Sequence, residues 1–317
     1  KDIVQVNPYW PTREDKQRIC QHTDDFIKKN ISTTEYIDSP EGMERLRKFG
    51  FDAYVVGSDQ VWRPKYSPCL TDYFLGFLEP ENKAKRVAYA ASFGTDEWEF
   101  TKKQTTQCAE LIKRFNVVSV REDSAVDLCK KHFGVDAVCL LDPAMLLTPK
   151  DYVRLVEQDD TSEGAGGLWV YLLDKAKWKN EVVRDVENYF GLISSSVAPV
   201  KLSSETTKKN IEDCIYLPVT AWIRAYINAQ YVVTDSFHGT LFAILFNKPF
   251  ISLANSARGV ARFTSLLRLL HLEDRMISSR EELTCEKIDR PIDFASANKV
   301  LEKEREKSIK YLIDSLQ

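Results

Sequence analysis

The feature that most limits the possible folds of this chain is a regular alternation of short β-rich runs with longer helical ones. Apolar runs lie at 53–56, 86–90, 117–120 and 137–140, and helical spacing is found at 96–115 and 122–133. Strands that are apolar throughout are typical of a sheet covered by helices on both faces. The alternation therefore predicts βαβ units and a parallel sheet.

The same alternation occurs a second time further along the chain. Strand-like runs lie at 168–173, 192–197, 214–217, 231–234 and 249–253, and helical ones at 175–189, 218–229, 238–246 and 259–270. A polar tract at 157–167 is typical of a loop. We therefore predict an α/β protein with two Rossmann-like domains, 1–148 and 149–317, that face each other across a cleft. The tail at 295–316 has apolar residues at helical spacing, which predicts a terminal helix packing by one face.

Charge and composition exclude several classes of protein. The 317 residues carry 44 Lys and Arg against 47 Asp and Glu, so the net charge of −3 provides no general field for a nucleic acid. No apolar run approaches the roughly 18 residues of a membrane span. The seven cysteines are scattered with no Cys-x-x-Cys pair, which is typical of reduced thiols in a cytoplasmic protein. We expect no metal site and no bound cofactor.

The segment at 234–240 carries the strongest signal for chemistry. It follows a predicted strand and opens a helix, so His238 lies in a first helical turn where backbone N–H groups favour an anion. An imidazole there could also move a proton near neutral pH. Gly239 would let the backbone approach a ligand. The alternative is structural, with Ser236 as the helix cap and His238 bonded to a backbone carbonyl, and we favour the functional interpretation.

A second segment, at 55–62, runs from a strand into a glycine, polar side chains and an aromatic ring. Ser58 and Asp59 can bind hydroxyl groups, and Trp62 offers a flat face on which a sugar ring could lie. The alternative is an ordinary turn with Asp59 as a helix cap and Trp62 in the core. Spacing alone does not decide between the two.

Three arginines are candidate anion sites. Arg121 follows a strand at the predicted cleft and could clamp an anion, or it could form an ion pair with Glu122 or Asp123. Arg258 and Arg262 lie four residues apart on one face of a predicted helix. For this pair a solvated basic face is the usual explanation.

These segments together resemble the polysaccharide pyruvyl transferase family, over most of the chain. The matching motifs are DAYVVGSDQVW at 52–62, VAYAASFG at 87–94, VSVRED at 118–123, LDPA at 141–144, VTDSFHGTLFAILFNKPF at 233–250 and RFTSLL at 262–267. The resemblance implies a fold similar to the GT-B glycosyltransferases. It also implies transfer of a pyruvyl group from phosphoenolpyruvate, as substrate, to a sugar of a surface polysaccharide such as a capsule or exopolysaccharide, which forms a ketal.

The resemblance also implies roles for individual residues. His238 and Arg121 would be catalytic, and Thr234 and Asp235 would position the histidine turn. Donor binding falls to Ser236, Gly239, Thr240, Arg258 and Arg262, and acceptor binding to Ser58, Asp59 and Trp62. Many relatives carry an arginine two residues before the histidine, where this chain has Ser236. The charge must then come from Arg121, Arg258 or Arg262.

Two other functions compete with this one. A nucleotide-sugar glycosyltransferase would use the same two-domain cleft, and a non-catalytic carbohydrate-binding protein could have kept the fold. The expected acceptor is a polysaccharide or a lipid-linked sugar. A lipid-linked acceptor would bring a cytoplasmic enzyme to the inner surface of the membrane without a spanning segment. The sequence leaves open whether the chain forms a homo-oligomer.

Overall fold

The computed structural model describes residues 11–159, 166–174, 176–196, 210–255 and 258–317. The strands are β1 Ala53–Val56, β2 Lys85–Ala91, β3 Val117–Val120, β4 Val138–Cys139, β5 Gly167–Tyr171, β6 Ser194–Ser195, β7 Ala229–Thr234, β8 Phe250–Leu253 and β9 Met276–Ile277. The α-helices are α1 Arg13–Asn30, α2 Pro40–Met43, α3 Lys102–Ile112, α4 Asp123–Leu128, α5 Pro149–Glu157, α6 Lys177–Phe190, α7 Val219–Asn228, α8 Phe237–Leu245, α9 Ala261–Leu269, α10 Cys285–Asp289 and α11 Phe294–Leu316.

The strands form two sheets. One has four strands in the order β1-β2-β3-β4, and the other has five in the order β6-β5-β7-β8-β9. In the first sheet the pairs β1–β2, β2–β3 and β3–β4 are parallel. In the second sheet the pairs β5–β6, β5–β7 and β7–β8 are parallel. The predicted α/β class with two parallel sheets is confirmed.

The chain divides into two compact units, each assembled from three segments. The β1–β4 unit comprises Tyr36–Thr148, Ala254–Ser278 and Arg290–Gln317. The β5–β8 unit comprises Lys1–Glu35, Pro149–Leu253 and Ser279–Asp289. The assignment of 1–148 and 149–317 to separate domains stays a prediction.

The core of the β1–β4 unit is rich in aromatic rings. Trp62 stacks on Phe74 with ring centroids 5.0 Å apart, and Phe74 meets the edge of Phe133 at 5.5 Å. Trp62 also donates its indole N–H to the Tyr73 carbonyl at 2.9 Å. These rings pack against the buried residues of β2 and β3, so the turns that follow those strands rest on a fixed base.

The terminal helix α11 packs on this same unit. Leu301 is buried, Ser308 accepts the Leu141 N–H at 3.2 Å, and Arg305 donates to the Met145 carbonyl at 2.8 Å. Asp293 caps the helix by accepting the Ser296 N–H. The prediction of a terminal helix that packs by one face is confirmed, and it begins one residue earlier than expected.

Most predicted elements are present with shifted ends, and one is wrong. Helix α3 starts at Lys102 instead of residue 96, because Thr101 and Gln104 form a capping box there. The predicted strand at 214–217 is absent: Cys214 ends a 3₁₀ turn, and the Tyr216 N–H donates to the Ile19 carbonyl of α1. Pro218 begins α7 two residues later and leaves the run too short to pair. Position 175 and the end of the 192–197 run lie outside the described residues, as does most of the 157–167 tract.

None of the helices in the described ranges is long and apolar enough to cross a bilayer.

Candidate functional site

In the β1–β4 unit the carboxyl ends of the strands bring distant parts of the sequence together. The turn after β1 carries Gly57 at φ +134°, where an added Cβ would lie 1.9 Å from the Tyr89 carbonyl oxygen. Only glycine fits this approach of the first turn to β2. The next two residues, Ser58 and Asp59, are thereby held against the ends of β3 and β4.

Arg121, the first residue after β3, is the centre of this cluster. Its side chain is only 2% exposed, and it is paired on one side with the buried carboxylate of Asp142. On the other side its Nη2 lies 3.3 Å from the Asp59 carboxylate, which is 69% exposed. Asp142 also accepts from the Ser58 hydroxyl at 3.2 Å and from the Ala144 N–H at 2.9 Å. Arg121 is thus fixed by one buried carboxylate and touches one exposed one.

Arg262, from the first turn of α9, joins the same cluster. Its Nη1 lies 3.7 Å from the Asp59 carboxylate, and its side chain is 7% exposed. Burial and the neighbouring charge of Arg121 lower the pKa of Arg262 to about 10. Two guanidinium groups therefore share Asp59, the exposed carboxylate of the cluster.

Glu122 lies next to Arg121 and is completely buried. Its Oε1 accepts from the Phe93 N–H at 2.7 Å, the Gly94 N–H at 2.9 Å and the Ser92 hydroxyl at 3.0 Å. Burial raises its pKa, although Arg121 and these donors act in the opposite direction. Glu122 therefore binds the turn after β2 to the end of β3.

Arg258 is held near this cluster by a hydrogen bond to its backbone carbonyl. Its carbonyl accepts from Arg63 Nη1 at 2.9 Å, and Arg63 is held by a bidentate pair with Glu99, both bonds 2.9 Å long. Next to it, Gly259 has φ +87°, and an added Cβ there would lie 1.9 Å from the Gly94 carbonyl oxygen. The segment that leads into α9 is thus attached directly to the turn after β2.

Trp62 does not have the placement that sugar stacking requires. The side chain is fully buried and stacked on Phe74, so neither face of the indole is available to a ligand. Its large apolar ring stabilises the fold more when it is buried in the core than it would if it were exposed in a turn. This placement corresponds to the structural alternative for Trp62.

In the β5–β8 unit the turn after β7 is organised by Asp235. Its buried carboxylate accepts from the Leu173 N–H at 2.6 Å and the Asp174 N–H at 3.3 Å, and it pairs with Lys179 of α6 at 2.5 Å. The side chain of Lys179 is 4% exposed and that of Asp235 is 0%. Asp235 therefore joins the end of β5, helix α6 and the turn that carries His238.

The polar residues around His238 are used inside the fold. The Ser236 hydroxyl caps α8 by accepting the Gly239 N–H at 3.3 Å, and the Thr240 and Ser252 hydroxyls are 2.5 Å apart. A Cβ added at Gly239 would lie 2.2 Å from the Thr234 hydroxyl oxygen, so this glycine allows α8 to pack on β7. The placement matches the structural alternative for Ser236, and it leaves Gly239 and Thr240 in packing roles.

His238 differs from its neighbours in exposure. Every other residue from Tyr231 to Leu245 is buried, whereas His238 is half-buried. It is the second residue of α8, in the first turn, where the helix dipole is positive. Its ring meets the edge of Phe237 with centroids 5.4 Å apart. The imidazole is therefore the accessible group of this turn.

The sequence-predicted residues thus separate into two groups. One unit brings Ser58, Asp59, Arg121 and Arg262 together, and the other brings Thr234, Asp235, Ser236 and His238 together. Sequence reasoning missed Asp142, although it lies in a quoted motif, and it missed Lys179. Asp142 is 21 positions from Arg121 and 84 from Ser58, and Lys179 is 56 positions from Asp235, so no local spacing indicated these contacts.

Across the ranges that the structure covers, no three His, Cys, Asp or Glu side chains are grouped so as to hold a metal ion.

Comparison with known proteins adds a family and a distant structural likeness. The model of the family described as "Polysaccharide pyruvyl transferase" matches residues 4–257. No curated protein matches the chain. A solved structure described as trehalose-6-phosphate synthase OtsA is similar with a TM-score of 0.40 and 9% sequence identity, over 96% of this chain and 84% of that one.

Proposed function

Because the chain belongs to the polysaccharide pyruvyl transferase family, we propose that it transfers a pyruvyl group from phosphoenolpyruvate to a sugar of a surface polysaccharide or its precursor. The product is a pyruvate ketal, in which one carbon bridges two oxygens of the sugar. The observation that carries this proposal is the buried pair of guanidinium groups, Arg121 and Arg262, that share the carboxylate of Asp59.

The charge of this cluster suits an anionic donor. Arg262 is held in a buried place where its charge is disfavoured, as its lowered pKa indicates. A phosphate or carboxylate group that entered the cluster would offset this cost and would compete with Asp59 for the two guanidinium groups. Asp59 is well placed to give way, because its carboxylate is mostly exposed. Phosphoenolpyruvate carries both kinds of anion.

The proposed reaction balances without water. A proton adds to the methylene carbon of phosphoenolpyruvate, which becomes the methyl group of the product. One sugar hydroxyl attacks the adjacent carbon and loses its proton. Phosphate then leaves with the electron pair of its C–O bond, and a second hydroxyl takes its place and also loses a proton. Cations near the leaving phosphate stabilise the charge that develops there.

We assign the protonation step to His238. It is the accessible imidazole in the turn after β7, and imidazole is suited to proton transfer near neutral pH. Asp235 is a positioning residue, because its buried bonds to Lys179 and to two backbone N–H groups fix the turn.

The test follows both substrates by NMR. The protein is incubated with phosphoenolpyruvate and each of a panel of methyl glycosides that differ in hydroxyl configuration. Turnover converts the vinylic proton signals into a methyl singlet and releases one phosphate per ketal, as seen by phosphorus NMR. In D₂O the new methyl group carries one deuterium. We expect His238→Ala to lower turnover by two to four orders of magnitude, and the matched variant His22→Ala in α1 to keep it.

Ligand-dependent stability gives an independent measurement. Phosphoenolpyruvate at about a hundred times its Kd should stabilise the fold by roughly 2.7 kcal/mol. Pyruvate and nucleotide sugars serve as comparisons. Stabilisation by a nucleotide sugar alone, with no methyl singlet from any glycoside, would contradict the proposal and support a glycosyltransferase.

A further inference from the structure

A cavity of about 370 Å³ opens beside the arginine cluster, within the β1–β4 unit. Its volume lies at the small end of the roughly 300–1,000 Å³ range of ligand pockets, which suits a ligand of one or two sugar rings. The residues that matter for its chemistry are Asp59, Gln60, Tyr66, Ser67, Tyr73 and Arg258. Neither Tyr66 nor Tyr73 is a site residue predicted from the sequence.

The two tyrosines give the cavity aromatic surface. Tyr66 is 43% exposed and Tyr73 is 38% exposed, unlike the fully buried Trp62. The Arg63 guanidinium carbon lies 4.9 Å from the centroid of the Tyr66 ring, and Arg63 is itself fixed by Glu99. Tyr73 is anchored through its backbone, which accepts the Trp62 indole N–H. The Tyr66 ring, held by Arg63, presents amphipathic surface at little entropic cost on binding, and the Tyr73 ring adds a second such surface.

The polar groups of the cavity are also oriented in advance. The Ser67 hydroxyl donates to the Val61 carbonyl at 2.8 Å, which leaves its oxygen lone pairs as acceptors. The Gln60 side-chain carbonyl accepts from Arg63 at 3.0 Å, so its NH₂ group remains a donor. Aromatic faces beside oriented hydroxyl and amide groups match a sugar ring, which has C–H faces and a rim of hydroxyls.

Asp59 links the cavity to the arginine cluster. Its carboxylate contacts Arg121 and Arg262, and the same residue lines the cavity. A sugar in the cavity would therefore lie next to an anion bound by the two guanidinium groups. We propose that this cavity is the acceptor subsite, in which Tyr66 and Tyr73 hold a neutral pyranose ring. The inference rests on the proposed function, and it moves the aromatic contact from Trp62 to these two tyrosines.

The test measures sugar binding in the absence of phosphoenolpyruvate. Saturation-transfer difference NMR with the panel of methyl glycosides is recorded on the full chain and on Tyr66→Ala, Tyr73→Ala and Tyr66→Phe. For a sugar that binds the full chain, we expect each alanine variant to raise the Kd about tenfold or more. Tyr66→Phe should keep the Kd within about threefold, because it retains the aromatic ring. Tyr36→Ala is the matched control, since Tyr36 is 81% exposed and does not line the cavity.

The possible results separate this inference from the proposed function. Loss of sugar binding in the alanine variants, with stabilisation by phosphoenolpyruvate retained, supports the subsite and shows that the fold is intact. Equal binding by Tyr66→Ala, Tyr73→Ala and the full chain overturns it, as does failure of every glycoside to bind at millimolar concentration. If a sugar binds through the tyrosines but phosphoenolpyruvate is never consumed, the transfer reaction fails while the sugar site stands.

Discussion

Arg121 and Arg262 belong to one cluster, but they should respond to mutation in opposite ways. Replacing Arg121 by Met leaves the buried Asp142 carboxylate without its guanidinium, which should cost about 3–5 kcal/mol. Arg262 pairs with the exposed Asp59 carboxylate at 3.7 Å, and burial lowers its pKa to about 10 from 12.5. A shift of that size is on the order of 3 kcal/mol of disfavoured charge, so Arg262→Met should stabilise the unliganded protein by about 1–2 kcal/mol.

Thermal unfolding of the two variants, with and without phosphoenolpyruvate, checks this prediction. Both should lose the stabilisation that the ligand gives. A drop in stability of similar size in both variants would mean that Arg262 is a structural ion-pair partner instead of an anion site.

Glu122 allows a prediction about pH. Burial raises its pKa, so the folded protein holds the proton more tightly than the unfolded chain does. The contribution of Glu122 to the free energy of unfolding is fully present below its pKa in the unfolded chain. It is lost as the pH rises through its pKa in the folded protein. Glu122→Gln keeps the acceptor at the position of Oε1 and cannot ionise. The stability of Glu122→Gln relative to wild type should therefore increase as the pH rises above about 4.3, the ordinary pKa of a glutamate, as measured by urea unfolding. A difference that is constant across this range, or that falls, would contradict the prediction.

At the scale of single residues, the sequence predicts which groups are polar at strand ends but not what they contact. Asp59 and Arg121 follow strands, and this position alone made them candidates. Trp62 also follows a strand, yet it lies in the core. Its ring is buried because Phe74 and Phe133, which are distant in the sequence, pack in the same cluster. Tyr66 and Tyr73 lie in a stretch without periodicity, and only the folded chain shows that they line one cavity.

At the scale of elements, the pair of Asp235 and Lys179 joins β7 to α6. Asp235→Asn removes the charge partner of a buried ammonium group and should cost about 3–5 kcal/mol of stability. The matched control is Asp185→Asn, which breaks the exposed pair with Arg280 in the same unit and should cost less than about 1 kcal/mol. Chemical denaturation of both variants makes the comparison. Similar small effects would mean that Lys179 reaches water when its partner is lost.

The elements that the sequence predicted best are those with strong local signals. Strands β1 and β3 have the predicted bounds, since each is a short apolar run that ends at a turn residue or a charge. The run at 214–217 has comparable apolar content, but no strand in the described ranges pairs with it, and the Tyr216 N–H bonds to α1 instead. Strand formation depends on a partner, which a local pattern does not report.

At the scale of the whole molecule, the division into units predicts how fragments behave. A fragment of residues 1–148 contains β1–β4 but lacks the segments that supply Arg262, Ser265 and α11 to the same unit. Ser265 accepts the Asp123 N–H at 3.0 Å, and Ser308 of α11 accepts the Leu141 N–H. The fragment should therefore show no cooperative thermal transition, whereas the full chain does. A sharp transition in the fragment would support an independent domain at 1–148.

The interleaving of the two units also has a consequence for the order of synthesis. Residues 36–148 leave the ribosome long before 290–317, and about 170 residues separate the end of the first segment from the end of the last. At roughly 5–20 residues per second, the sheet β1–β4 waits on the order of 10–30 s for α11. During that interval the surface that α11 later covers, around Leu140 and Tyr89, is exposed to other nascent chains. A chaperone that binds apolar segments should engage this chain in that interval, before α11 is made.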